Sequence, residues 1–421
     1  MTTARTAPDP RGGRTRTGLV SFRAAAPFRF HQAGTDPETA QEGRAKESCW
    51  TSLAQFTRNV IARHPQQFRL DSGTAPLACL PREDWARFDF AGKRALFLLP
   101  SQALGSNVCT LLFLAALRER FAPRRIGVFC AGSAADIYRT DPSIEVFTLW
   151  IGKRDLDRWD VVVDLGHLES RRDIDIWPVD MEGELMEAFG GLAPAAAYPA
   201  GARPLPTDRP PRIGVLPLAS SPLRTLPVAV TRAVLDAMRP LGEVTLCLNA
   251  NQHQGVLYRR TLVVPEGVAV VDAFPSIGAL LRALQTFDYV VAADSGPAHM
   301  TKLFGTAGLA IYSSAPPAVL QGRFRNLVPW TVPFVGPDCA APCGLAKLRM
   351  TAEGRVGCMG SLHLPLERLP QIARAADPAS VERLLLADPV PCIAHLATLG
   401  HVVGRIAADD LALRRSAART A

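Results

Sequence analysis

The sequence predicts an α/β protein built from two doubly wound parallel sheets, on three observations. Short apolar runs rich in β-branched residues alternate with helix-length segments along most of the chain. A stretch dense in Pro, Ala and Gly, LAPAAAYPAGARPLPTDRPPR from Leu192 to Arg212, divides them into two groups. Finally, Asp288 to Ala315, DYVVAADSGPAHMTKLFGTAGLAIYSSA, reads as strand, tight turn, helix and strand, with small polar residues just past an apolar run.

Composition bounds the function. The 421 residues suffice for two such domains with extensions. An apolar content of 48% with 20% charged residues describes a globular chain with a core. No run reaches the roughly 18 apolar residues of a membrane-spanning helix. The basic N-terminus has no apolar segment behind it, so a cytoplasmic protein is expected rather than a secreted one. The net charge of +8 suits an anionic partner, such as a phosphorylated glycolipid, and a peripheral contact with the anionic inner face of a membrane. No nucleic-acid motif accompanies the charge, so nucleic acid is not an expected partner. Of nine cysteines, Cys109, Cys130 and Cys247 lie in apolar runs and read as reduced core residues.

Taken in order, residues 1–44 carry Arg5, Arg11, Arg14, Arg16 and Arg23 among Pro, Gly, Thr and Ala without periodicity, and read as a disordered basic arm. Residues 45–92 form an N-terminal extension, with helical spacing from Trp50 to Ile61 and with Trp85, Phe88 and Phe90 placed to cover a sheet edge. The first Rossmann-like domain spans 93–191. Its strands are Lys93–Pro100, Ile126–Cys130, Ile144–Trp150 and Val161–Leu165, and a helix runs from Val108 to Phe121. Asp164, His167 and Glu169 fall at or just past the carboxyl end of the last strand, where ligands of such sheets bind. His167 has the intrinsic pKa to accept a proton from an acceptor hydroxyl, or is a surface or capping residue. Arg171 and Arg172 meet acceptor phosphates or are simply solvated.

After a linker over 192–211, the second domain spans 212–377. Its strands are Arg212–Leu218, Glu243–Asn249, Val268–Phe274, Tyr289–Ala293 and Gly308–Tyr312, and its helices follow Pro227, Ser276 and Gly296. Asp294-Ser295-Gly296 breaks a strand and Pro297 opens a helix, which points unpaired N–H groups and the positive end of a dipole at the sheet's carboxyl edge. That arrangement suits a phosphate, with Asp294 beside it for sugar or ribose hydroxyls. The plainer account is an Asp/Ser N-cap. No G-x-G-x-x-G or Walker loop is present. Cys339, Cys343 and Cys358 suit a soft metal, but their spacing is irregular and free thiols are favoured. Residues 378–421 read as a helical tail, returning to the first domain or forming a dimer contact.

Asp294-Ser295-Gly296-Pro297-Ala298-His299, with Gly305-Thr306 after it, resembles the D-[ST]-G-x-x-H signature of glycosyltransferase family 9, which comprises the ADP-heptose:lipopolysaccharide heptosyltransferases and their relatives. The resemblance extends over about residues 93 to 378. It implies a GT-B architecture, two Rossmann-like domains with the active site in the cleft between them. It further implies an inverting transfer of heptose from ADP-heptose to a glycolipid or other glycan acceptor, with no cofactor required. The nucleotide-sugar-binding positions it implies are Gly105, Ser220, Ser221, Arg224, Asp294, Ser295, Gly296, Pro297 and His299. Arg224 would offset charge on the leaving diphosphate through two parallel hydrogen bonds. Asn251 and Gln252 fall where the family bonds the ribose. One position departs from the pattern: the family's loop Asp, taken to be the general base, is replaced here near Ser106 and Asn107. A catalytically degenerate relative that binds a sugar nucleotide or glycan without transfer is therefore the rival reading.

Overall fold

A computed structural model of the protein describes residues 19–30, 41–51, 60–71, 77–166, 179–249, 253–337, 339–345, 349–350, 356–358, 382, 386–387 and 389–420. The chain divides into two compact units. The first comprises Met1–Gln102, Leu117–Ser170 and Glu187–Leu192, and the second Ala103–Ala116, Arg171–Met186 and Ala193–Ala421.

The first unit begins with β1 (Val20–Ala24), β2 (Phe28–Phe30), β3 (Gln41–Gly43), β4 (Cys49–Thr51) and β5 (Phe68–Leu70). Strands β5, β1 and β4 pair antiparallel, and β2 pairs with β3. These strands correct two expectations. Strands β1, β2 and β3 lie within the stretch expected to be a disordered arm, and Trp50 lies in β4 rather than a helix. The cause is packing: Phe22 is fully buried in a nest of rings with Phe28, Phe68 and Trp150, the Phe28–Phe68 pair meeting edge-on at 5.0 Å. Trp85 and Phe90 are buried against Phe189, as a cover for the following sheet requires.

That sheet is parallel and contains β6 (Arg94–Leu99), β7 (Arg125–Cys130), β8 (Ile144–Phe147) and, after β9 (Ile151–Gly152) has joined β4, β10 (Val161–Asp164). Its order is β10-β6-β7-β8. From Ala95 to Leu99 every residue of β6 is buried, as a strand covered on both faces must be.

The second unit holds a six-stranded parallel sheet of β11 (Arg212–Leu216), β12 (Glu243–Cys247), β13 (Ala269–Val271), β14 (Tyr289–Ala293), β15 (Ala307–Tyr312) and β16 (Leu327–Thr331). The order β13-β12-β11-β14-β15-β16 means that the chain winds outward from β11 in one direction, then returns to β14 and winds outward in the other. The reversal falls between β11 and β14, paired with Val215 opposite Val291 and Leu216 opposite Ala292. In open α/β sheets that reversal is where a crevice opens past the carboxyl ends. Ser276 caps the Ile277–Thr286 helix, its hydroxyl accepting from Ala279 N at 3.1 Å.

The tail is helical over Pro391–Thr398 and Gly400–Thr420. The longer helix packs on the Val228–Met238 helix of the same unit. A Cβ at Gly404 would stand 2.9 Å from the Ala233 carbonyl, so only glycine permits that approach. Tyr289 of β14 donates to Asp410 of this helix at 2.8 Å.

Candidate functional site

The strand reversal brings together two loops that lie 70 residues apart in sequence. After β11 the segment 217–227 folds on its own hydroxyls. Ala219 N donates to Thr225 Oγ1 at 3.2 Å, Leu223 N to Ser221 Oγ at 3.3 Å, and Leu226 N to Pro217 O at 2.9 Å. Ser221 is buried and its oxygen serves the loop. Ser220 is exposed and accepts from Arg224 at 3.1 Å. The other terminal nitrogen of Arg224 faces Asp294 Oδ1 at 3.5 Å, the outer limit of a hydrogen bond.

After β14 the chain turns at Asp294 and Ser295 into a helix shorter than expected, Gly296–Met300, followed by a 3₁₀ turn over Thr301–Leu303. Ser295 occupies the N-cap position in extended conformation, yet its side chain caps nothing. Asp294 is 1% exposed. Asp294 Oδ2, Ser295 Oγ, His299 Nδ1, Arg224 Nε and Ser314 Oγ are all buried with no hydrogen-bond partner among the described residues. Each unmade bond of this kind costs about 1–3 kcal/mol, and buried polar atoms are paired in the great majority of cases. Five such atoms, on the segments just past β11, β14 and β15, single these turns out as the candidate site.

The start of the Leu104–Phe121 helix lies against this turn. A Cβ on Gly105 would come within 3.0 Å of the His299 ring, and one on Gly296 within 3.0 Å of Leu104 Cβ. A side chain at either glycine would therefore press on its neighbour, and the two segments stand this close because both are glycine. No acidic residue lies in the first turn of that helix. Asn107 is fully buried, and its side-chain amide donates to Ala103 O at 2.9 Å.

Electrostatics set the protonation states. Burial raises the Asp294 carboxyl above its usual range, opposed by Arg224 and Lys302. Burial, Lys302 and Arg224 together hold His299 well below 6.5, so it is neutral near pH 7. Burial and Asp294 push the Tyr312 hydroxyl upward. Asp294, His299, Lys302, Tyr312, Gln321 and Asn326 line a common recess.

Of the residues singled out from sequence, Asp294, Ser295, Gly296, Pro297, His299, Arg224, Ser220, Ser221 and Gly105 are brought together in the second unit. His167, with Glu169, Arg171, Arg172, Asn251 and Gln252, lies outside the described residues. Asp164 is buried and accepts from Gly166 N at 2.8 Å. Sequence reading passed over Lys302, Glu182 and Arg323. Lys302 interrupts an otherwise small or apolar run, and that interruption was the available signal. Burial raises the Cys392 thiol to about 12, reinforced by Cys358, Cys343 and Cys339 nearby. Among the described residues no group of three or more His, Cys, Asp or Glu is arranged to hold a metal ion, and no helix is long and apolar enough to cross a membrane.

No protein-family model and no curated protein matches the sequence. Solved structures do show a likeness. One is a family 9 glycosyl transferase from Veillonella parvula DSM 2008, at 15% identity and TM-score 0.44, covering 58% of this chain and 87% of that one. Another is the E. coli heptosyltransferase WaaC with ADP, at 15% identity and TM-score 0.43, covering 57% of this chain and 93% of that one. A third is TibC, a dodecameric iron-containing heptosyltransferase of enterotoxigenic E. coli H10407, in complex with ADP-D-β-D-heptose. It is 11% identical with a TM-score of 0.46, covering 95% of this chain and 92% of that one. At these values only the residues of this chain carry a functional conclusion.

Proposed function

We propose that the protein is a glycosyltransferase that moves a sugar, heptose, from a nucleotide-activated donor, ADP-heptose, to a hydroxyl of a glycolipid or other glycan, inverting the anomeric centre. The observation that carries this reading is the convergence of Arg224 and Asp294 at the β11–β14 reversal, amid buried polar atoms that lack partners. Arg224 and the N–H groups at the Ser295–Ala298 turn would take the diphosphate. Asp294 would accept hydrogen bonds from sugar hydroxyls, which a neutral apolar pocket could not do. As the bond to the anomeric carbon breaks, charge grows on the departing diphosphate oxygen, and a guanidinium already in place opposes it without reorganisation. The net charge of +8 favours an anionic acceptor, held at the inner face of a membrane.

One observation favours binding without transfer. The first turn of the Leu104–Phe121 helix offers no carboxylate, and the amide of Asn107 is committed to Ala103. Incubation with ADP-heptose separates the readings. Release of ADP that requires an acceptor establishes transfer, release without one establishes hydrolysis, and tight binding with no release establishes the binding protein.

A further inference from the structure

Lys302 is 4% exposed. Its ammonium has one hydrogen-bond acceptor among the described residues, the Leu320 carbonyl at 2.8 Å, and stands 5.1 Å from the centroid of the Phe324 ring. The same ring carries Arg323 at 4.2 Å, and Arg323 pairs with Glu182 at 2.9 Å. A buried ammonium with one neutral acceptor is costly unless a carboxylate stands near. Glu182 is already engaged by Arg323. Glu182 also feels Lys302 and Asp180 stands near Glu182, but Asp294 is the carboxylate that lines the same recess as Lys302 and feels its charge.

Asp294 therefore feels two cations that are held differently. Arg224 reaches it only at 3.5 Å, shares its other terminal nitrogen with Ser220, and has an unpartnered Nε. Lys302 is fixed by a carbonyl and a ring. We propose that Lys302 is the resident counter-ion of Asp294, a positioning residue that keeps this carboxylate charged when Arg224 leaves it for an anionic ligand. The proposal rests on the reading that Arg224 receives a diphosphate.

The groups facing Asp294 come from three elements. Arg224 belongs to the loop after β11, His299 and Lys302 to its own helical turn, and Tyr312 to β15. The imidazole is neutral and the phenol protonated, so only Arg224 and Lys302 bring charge. With Lys302 removed, ionised Asp294 has Arg224 alone and retains it, and a diphosphate must compete. Protonation of Asp294 then releases the guanidinium. ADP affinity should consequently become pH-dependent in a way that intact Lys302 suppresses.

The test is calorimetric titration of the full chain with ADP between pH 5.5 and 8.5, for the wild type, Lys302→Met, Lys302→Arg and the Asp294→Asn/Lys302→Met double variant. Relative to the wild type at each pH, Lys302→Met should lose about tenfold in affinity across the range, as a one-unit pKa change allows. Lys302→Arg should follow the wild type, and the double variant should show no such trend. A Lys302→Met ratio that stays constant with pH overturns the proposal. Should the wild type not bind ADP at all, the diphosphate reading fails, and the counter-ion role is read from urea unfolding instead. A carboxyl whose folded pKa is raised further makes the fold more stable at low pH, and that gain is lost as pH rises through the folded value. Lys302→Met should therefore lose more stability than the wild type above pH 3.8, the ordinary value of that carboxyl, and Asp294→Asn should cancel the difference. Absence of that slope overturns the proposal, as does failure of both Lys302→Met and the double variant to fold. Folding of the double variant alone supports it.

Discussion

The chain passes from a parallel strand into a helix after β6 and again after β14, and the two turns use their polar groups in opposite ways. At the first, the Asn107 amide is bonded to Ala103 O and no carboxylate is present. At the second, Asp294 Oδ2 and Ser295 Oγ are buried and bond to nothing described, and His299 and Arg224 keep unpartnered nitrogens beside them. Both turns stand at the carboxyl edge of a doubly wound sheet, so position alone would nominate either one. Satisfaction separates them. A turn that pairs its own polar groups is holding the chain, and the one that leaves them buried and unmet is where we propose the ligand sits.

Removing the polar groups of the second turn should have the largest effect. Asp294→Ala leaves the Arg224 guanidinium, whose side chain is 14% exposed, without the carboxylate it faces, which should cost about 3–5 kcal/mol of stability. It should also weaken ADP-heptose binding by about a hundredfold or more, as two lost charge-assisted hydrogen bonds would. Urea unfolding and calorimetry measure the two. Unchanged affinity would make the second turn no more a site than the first.

A middle-sized effect should appear with pH. His299 is held well below 6.5, so the unfolded chain takes up its proton before the folded one does. Its contribution to stability is complete above pH 6.5 and is lost as pH falls below it, with a slope of up to about 1.4 kcal/mol per pH unit. Asp294, raised by burial, contributes a slope of the opposite sign, so the clean comparison is between variants. His299→Gln should flatten the loss between pH 7 and pH 5 in denaturant titrations. An unchanged profile would show that the imidazole is not held neutral.

The smallest effect belongs to the first turn. Ser106 is half-buried and lies in the opening turn of its helix, where a carboxylate meets the positive end of the dipole. Ser106→Asp should stabilise the fold by about 0.3–1 kcal/mol in a thermal melt. A rise in acceptor-dependent ADP release alongside it would show that a base at this turn limits turnover.

Sequence alone carried the sheets well, because strands such as VVAA after Tyr289 are continuously apolar and helix-sized segments separate them. It passed over β16, where Pro329 sits inside LVPWT, and misread β1, whose alternation of Val20, Phe22 and Ala24 is hidden among arginines. The Arg224–Asp294 pairing is not a matter of spacing. It follows from strand order, and a signature resemblance was needed to point at the two loops. For Lys302 the sequence offered only its interruption of a small and apolar run, a faint signal because a lysine in a helical turn is ordinarily solvated, and the packing of Leu320 and Phe324 over it is what reveals its burial.

Strand β16 borders the larger sheet and carries Pro329 opposite Ala310. Proline brings no N–H to a ladder, which confines it to strands at the margin of a sheet. A proline in such a strand is one of the means by which sheets discourage pairing with another chain along their margins.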